Sequence, residues 1–242
     1  MVQDGPEQCG TIGRPKQGAG TGNHRTMERA REQGRGMIAI VDYGAGNLGS
    51  VDKALSYIGA EAEVVSDPRE VETADAVILP GVGAFDHCMG GLRARGLAEA
   101  VVSCIRSERP FLGICIGMQM LVTSSEEGGE APGLGVVPGR VRRFQRSGAR
   151  ANLKVPHMGW NEVHVERDCP LFRDVPDDAM AYFVHSYYVV PDDLGVVAAT
   201  TDYGGPFCSA ISVGNVFATQ FHPEKSGTIG LMILRNFAAL VS

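Results

Sequence analysis

Phe111-Leu112-Gly113-Ile114-Cys115-Ile116-Gly117-Met118-Gln119-Met120 is the stretch that decides the fold. Phe111–Ile114 is a short apolar run of strand type, and from about Ile116 to Thr123 the pattern turns helical. Between them stands G-x-C-x-G. A sharp strand-to-helix turn lifts its central side chain above a sheet edge, and the crowded backbone there demands small neighbours, here Gly113 and Gly117. A helix starting at this point adds a dipole that favours a thiolate and free N–H groups that bind an oxyanion. A buried structural cysteine between two packing glycines gives the same letters, so the turn alone does not fix the chemistry.

Outward from this turn the pattern alternates. Upstream, Ile38–Val41, Glu63–Val65 and Ala76–Leu79 read as strands. Leu48–Ile58, with Val51, Leu55 and Ile58 on one face, reads as a helix, as do Phe85–Arg95 and Leu97–Ser107. Such β–α–β–α order implies an α/β domain: a mostly parallel sheet with helices on both faces. Downstream the elements become short strands with tight turns, some of them antiparallel: Val141–Phe144, Glu162–Val165, Met180–Phe183, Tyr187–Val190, Val196–Thr201, Ser209–Val213 and Val216–Gln220. Thr228–Leu240 reads as a closing helix with Ser226 at its N-cap. One domain is expected over residues 37–242. Residues 1–36 are rich in Gly, Arg, Gln and Thr and poor in aliphatic side chains. They read as a disordered leader or an over-long start, because Met37 opens a strand directly.

Composition narrows the function. The chain has 242 residues, 44% hydrophobic and 21% charged, as globular proteins do. A net charge of -6 argues against a nucleic-acid surface as its main business. No apolar run is long enough to cross a bilayer. The six cysteines show neither C-x-x-C pairs nor zinc spacing, and His24, His87 and His164 show no metal spacing either. A cytoplasmic protein with reduced thiols, no metal and no cofactor is expected.

The second chemical signal is Gln220-Phe221-His222-Pro223-Glu224-Lys225. Pro223 favours an extended chain, in which His222 and Glu224 project to the same side. A carboxylate so placed fixes an imidazole's tautomer and stabilises its charged form. An exposed loop pair is the plainer alternative. Val216–Gln220 delivers His222 to a strand end, as Phe111–Ile114 delivers Cys115. In open α/β sheets ligands bind at that carboxyl edge.

In these residues the sequence resembles the class I glutamine amidotransferases, over about residues 37–242. The matching motifs are Pro80-Gly81-Val82-Gly83, Gly113 to Gln119, and His222-Pro223-Glu224. The resemblance implies a flavodoxin-like domain that hydrolyses L-glutamine. It makes Cys115 the nucleophile, His222 the proton shuttle and Glu224 its orienter. It assigns the oxyanion hole to Val82, Gly83 and Ile116. Gly81, Gln119 and Ser186 become glutamine-binding residues, and Gly81 and Gly83 let a peptide of the oxyanion strand reorient.

Three further segments, Tyr43-Gly44-Ala45-Gly46-Asn47, Pro156 to Asn161 and Phe183 to Tyr187, are similar to one subfamily. Its partner is a (β/α)8-barrel cyclase of histidine biosynthesis that receives ammonia through a channel. That similarity makes Asn47, Trp160 and Lys225 interface candidates. Glutaminases serving anthranilate, aminodeoxychorismate or pyridoxal phosphate synthesis remain alternatives. Gly44-Ala45-Gly46-Asn47-Leu48-Gly49 is also a formal G-x-G-x-x-G with Asp67 near the expected distance, the mark of a dinucleotide fold. A tight ligand-free β–α turn explains it equally well. His157, His185 and the single tryptophan, Trp160, read as packed or interfacial. Glu126-Glu127 and the basic run 140–150 read as solvated loops.

Overall fold

The computed structural model describes residues 36–145 and 153–241. The expectation of a separate leader therefore lies outside the described residues, apart from Gly36, as does the end of the basic run.

The first half is a strand–helix alternation. It comprises β1 (Ile38–Val41), α1 (Leu48–Tyr57), β2 (Ala62–Val65), α2 (Pro68–Thr73), β3 (Ala76–Gly81), α3 (Phe85–Ala94), α4 (Leu97–Arg106), β4 (Phe111–Cys115) and α5 (Ile116–Met120). The second half is strand-rich. It runs through β5 (Val122–Ser125), β6 (Ala131–Pro132), β7 (Val137–Arg143), β8 (His157–Glu162), β9 (His164–Val165), β10 (Met180–His185), β11 (Tyr187–Pro191), β12 (Val197–Asp202), β13 (Pro206–Val213) and β14 (Val216–Thr219), and α6 (Gly227–Ala238) closes it.

The main sheet has the order β2-β1-β3-β4-β14-β13-β12-β9. Its first five strands are parallel, as the alternation implies, and their order is the flavodoxin-like one that the resemblance implies. The remaining three pair antiparallel. Every residue of β1, β3, β4 and β14 is buried. These continuous apolar runs suit strands covered on both faces. Helix α4 buries Leu97, Ala98, Ala100, Val101 and Cys104; each leucine or valine removed from water contributes about 1.5–3 kcal/mol. A four-stranded sheet (β11-β7-β5-β6) and the β8–β10 ribbon form a second layer.

Several local expectations need correction. The segment 162–165 is not one strand: β8 begins at His157, and buried Val163 separates it from β9. Helix α5 has five residues rather than eight, and β5 follows almost at once. So short a helix carries little dipole. Asp67 caps α2, accepting from Arg69 N at 2.9 Å, which leaves no dinucleotide role for it. Glu127 is not solvated: its Oε2 accepts from Phe85 N at 3.0 Å, supplying α3 with the cap that Ala84 lacks. Ser226 sits at the N-cap of α6 but makes no capping bond.

Candidate active site

Parallel pairing sets three strand ends side by side. Gly81 of β3 pairs with Cys115 of β4, and Thr219 of β14 pairs with Ile114. The chain beyond each strand therefore leaves from the same edge. At Cys115 the backbone adopts φ 55° and ψ −107°, a sparsely populated conformation for a residue with a Cβ, of the kind that costs about 1–3 kcal/mol. The surroundings enforce it. A Cβ on Gly117 would lie 1.8 Å from Leu79 O, and one on Gly113 would lie 2.8 Å from Gly117 O. The small flanking residues are thus a spatial necessity. A Cβ on Gly81 would meet Ile116 Cβ at 2.7 Å and the Tyr43 hydroxyl at 2.8 Å, so the end of β3 lies directly on the turn.

A cavity of about 230 Å³ opens there. It is lined by Val82, Gly83, Cys115, Ile116, Gln119, Ser186 and His222, with Glu127, Pro156, Val184, His185 and Tyr187 completing its walls. Its size suits an amino acid better than a drug-sized ligand, whose pockets begin near roughly 300 Å³. A larger cavity of about 660 Å³ lies elsewhere, around Glu166, Tyr188 and Leu194. Its one thiol, Cys208, donates to Ala210 O, and burial pushes it up to about 12. The smaller cavity is the one that brings Cys115 and His222 together.

His222 and Glu224 meet, though not by the extended geometry expected of them. Pro223–Lys225 is a turn of 3-10 helix, with His222 as its N-cap. The backbone is held from both sides. His222 N donates to Tyr182 O at 3.0 Å, and Ser226 Oγ donates to His222 O at 2.7 Å while accepting from Tyr182 N. Nδ1 of His222 lies 2.8 Å from Glu224 Oε1. Nε2 is buried without a hydrogen-bond partner among the described residues. Burial alone would lower the imidazole's pKa. The neighbouring Cys115 sulfur and the Glu224 carboxylate outweigh it and raise the imidazole to about 9. Sulfur and Nε2 thus act on each other across the cavity, as a nucleophile and its base must.

The remaining expected residues fall as follows. Gln119 is buried, and its Oε1 has no partner among the described residues. Gly83 has φ 103° with open space around it, and Val82 O accepts from the Cys88 thiol at 3.4 Å. Gly81 is buried under the turn and is not part of the cavity wall. Trp160 and Lys225 are exposed on one face, each beside the Tyr182 ring at 6.1 Å and 6.0 Å. Asn47 is half-buried at the start of α1, a helix that packs on the Pro223–Lys225 turn.

The family model for class I glutamine amidotransferase matches residues 39–240. The chain belongs to the class I glutamine amidotransferases. It is 54% identical over 205 residues to the imidazole glycerol phosphate synthase subunit HisH of Syntrophotalea carbinolica, covering 83% of this chain and 98% of the relative. The HisH subunit of Geobacter sulfurreducens is 53% identical, over 84% and 98%. Among solved structures, PurLQS from Thermotoga maritima superposes with a TM-score of 0.68 at 18% identity, over 86% of this chain and all of that one. A crystal structure of a glutamine amidotransferase gives 0.63 at 24%, over 84% and 98%. At those identities the structures speak for the amidotransferase fold alone.

Proximity within this amidotransferase fold also exposes a residue that the sequence reading passed over. Gln220 is fully buried, and its Nε2 lies 3.6 Å from Cys115 Sγ. The available signal was a lone amide in an otherwise apolar strand end, between Thr219 and Phe221, where burial demands a polar partner.

Proposed function

We propose that this chain is the glutaminase subunit of an imidazole glycerol phosphate synthase. In this role it hydrolyses L-glutamine and passes ammonia to a cyclase subunit in histidine biosynthesis. The observation that carries the proposal is the buried cavity shared by Cys115 and the orphaned Nε2 of His222. It is supported by about half-identical HisH relatives matched over nearly their whole length.

In the proposed sequence Cys115 Sγ attacks the amide carbon of glutamine, and its proton passes to His222 Nε2. The carbonyl oxygen becomes an oxyanion, which accepts from N–H groups of the Val82–Gly83 segment and of Ile116; each such donor is worth about 10²–10³ in rate. Collapse of the intermediate breaks the C–N bond. His222 returns the proton, ammonia leaves and a thioester remains. Water then attacks, giving its proton to His222. The C–S bond breaks, glutamate departs and the thiol is restored. Glu224 holds the imidazole tautomer throughout. Gln119 and Ser186 are assigned to the glutamine's amino-acid end; Gly81, buried under the turn and outside the cavity wall, supports them from below.

The proposed partner is a (β/α)8-barrel cyclase, docked on the face of Asn47, Trp160 and Lys225. Among the described residues no helix is long and apolar enough to cross a membrane, and a cytoplasmic setting is proposed. The test is glutamate release by the wild type and Cys115→Ala, with and without the cyclase and its ligand. Release that depends on Cys115 and rises with the loaded cyclase is expected. A cyclase that neither binds nor stimulates, while another synthase does, would reassign the pathway.

A further inference from the structure

Amide side chains are ambiguous until something fixes their orientation. Here a backbone carbonyl does. Tyr187 O can only accept, and Gln119 Nε2 lies 3.0 Å from it. The nitrogen of Gln119 must therefore face Tyr187. The same nitrogen lies 3.0 Å from Gln220 Oε1, which makes that atom the acceptor. Gln220 must then turn its own Nε2 toward Cys115 Sγ, at 3.6 Å. Reversing Gln119 would set oxygen against oxygen at both of its contacts, and reversing Gln220 would set nitrogen against nitrogen. The orientation thus passes from an immovable carbonyl through two buried amides to the nucleophile.

Tyr187 O also fixes a second chain. It accepts from His185 Nδ1 at 2.8 Å, so His185 Nε2 is an acceptor for His157 Nδ1–H at 3.0 Å. His157 Nε2 then accepts from Asn161 Nδ2 at 3.2 Å. Both imidazoles are neutral, as their burial requires. The carbonyl is clamped by donors from two sides and cannot rotate away.

We infer that Gln220 is a further catalytic residue, an N–H donor to the Cys115 sulfur, and that Gln119 positions it. His222 takes the proton from sulfur. Gln220 stabilises the charge left behind and holds the sulfur at the cavity mouth while Nε2 is free to move protons. Because both N–H groups of Gln119 are spent inside the protein, its unpartnered Oε1 is what it offers a ligand. That atom suits the α-ammonium of an amino acid and not its carboxylate. The inference rests on the glutaminase reading for the reaction it serves, but not for its test.

The test follows the rate of Cys115 alkylation by iodoacetamide against pH in the full chain, with neither glutamine nor partner present. Gln220→Met, similar in size but without a donor, moves the midpoint to higher pH. Gln220→Glu, which keeps the shape and adds negative charge, moves it further; a packing role alone would not order the two in this way. In glutamine hydrolysis with the cyclase, Gln220→Met lowers kcat by about 10- to 100-fold with KM little changed, the scale of a lost hydrogen bond to a charged group. Gln119→Met shifts the alkylation midpoint in the same direction, and the double variant shifts it no further than Gln220→Met alone. Alkylation curves that superimpose on wild type overturn the inference. Where Gln220→Met fails to fold, the Gln119→Met curve decides alone by the same criterion. A wild type that releases no ammonia with any cyclase, yet shows these shifts, overturns the glutaminase reading and leaves the sulfur contact standing.

Discussion

His222 Nδ1 and Glu224 Oε1 are 2.8 Å apart, and their side chains are only 2% and 1% exposed. The carboxylate therefore accepts from Nδ1–H and leaves Nε2 as the nitrogen that takes and returns the proton. Glu224→Gln presents an amide in place of that acceptor, and its N–H group favours the opposite tautomer. Turnover of glutamine should fall on the order of 10³–10⁴-fold, as when the carboxylate of other nucleophile–base–acid triads is neutralised. The imidazole should also titrate below its wild-type value of about 9, because one of the two influences raising it is gone. NMR of the His222 ring protons against pH checks this; an unmoved titration would remove Glu224 from the role.

Stability should peak near pH 6.5, and the sign follows from three histidines. Burial lowers His157 to about 4 and His185 to about 3, against 6.5 for the free side chain. The unfolded chain binds more protons than the folded one as pH falls below 6.5, so stability is lost on that side. His222 is raised to about 9. Its contribution is complete below 6.5 and disappears as pH rises through 9. Urea unfolding from pH 4 to 9 measures both arms. His222→Gln should reduce the loss between pH 6.5 and 9 and spare the acid arm; the steeper loss above that belongs to buried thiols such as Cys208.

Two glycines near the sulfur fail for different reasons. Gly117→Ala puts a Cβ 1.8 Å from Leu79 O. Backbone must move, so about 3 kcal/mol or more of stability should be lost, with Cys115 reactivity lost alongside it. Gly83 has open space but φ 103°, which residues with a Cβ rarely adopt. Gly83→Val should therefore lose about 1–3 kcal/mol of stability through strain rather than collision, and should alter how strongly the loaded cyclase stimulates glutamate release. Stimulation equal to wild type would separate the Val82–Gly83 peptide from gating.

Much of this was readable in advance, because the signals were local. The parallel sheet follows from runs such as Ile38–Val41 and Ala76–Leu79, whose unbroken apolarity reports burial on both faces. The turn at Cys115 announces itself through flanking glycines that nothing larger can replace. What escaped depends on contacts between distant segments. Glu127 resembles a surface acid until its carboxylate is found 42 residues away on Phe85 N. Gln220 resembles strand filler until Gln119, 101 residues earlier, orients it. The 3-10 turn at Pro223–Lys225 escaped because proline suits that turn and an extended chain equally.

The β8–β10 ribbon has two unlike faces, and this supports the last prediction. Pairing sets Trp160 opposite Tyr182 and Met158 opposite Val184 on one face, with His157 opposite His185 on the other. The histidine face is buried. Met158 and Trp160 are 63% and 54% exposed, and Lys225 lies over the Tyr182 ring beside them. An exposed methionine and tryptophan side by side are the make-up of an interface centre rather than a solvated ribbon, with Lys225 at its rim. Trp160 is the only tryptophan, so emission excited at the indole band reports this spot alone. Adding the cyclase should shift that emission saturably. Trp160→Ala should weaken docking by about 10- to 30-fold, the cost of a moderate hot spot, and should leave the iodoacetamide reactivity of Cys115 in the isolated chain as in wild type. Emission that ignores a cyclase bound by calorimetry would move the interface off this face.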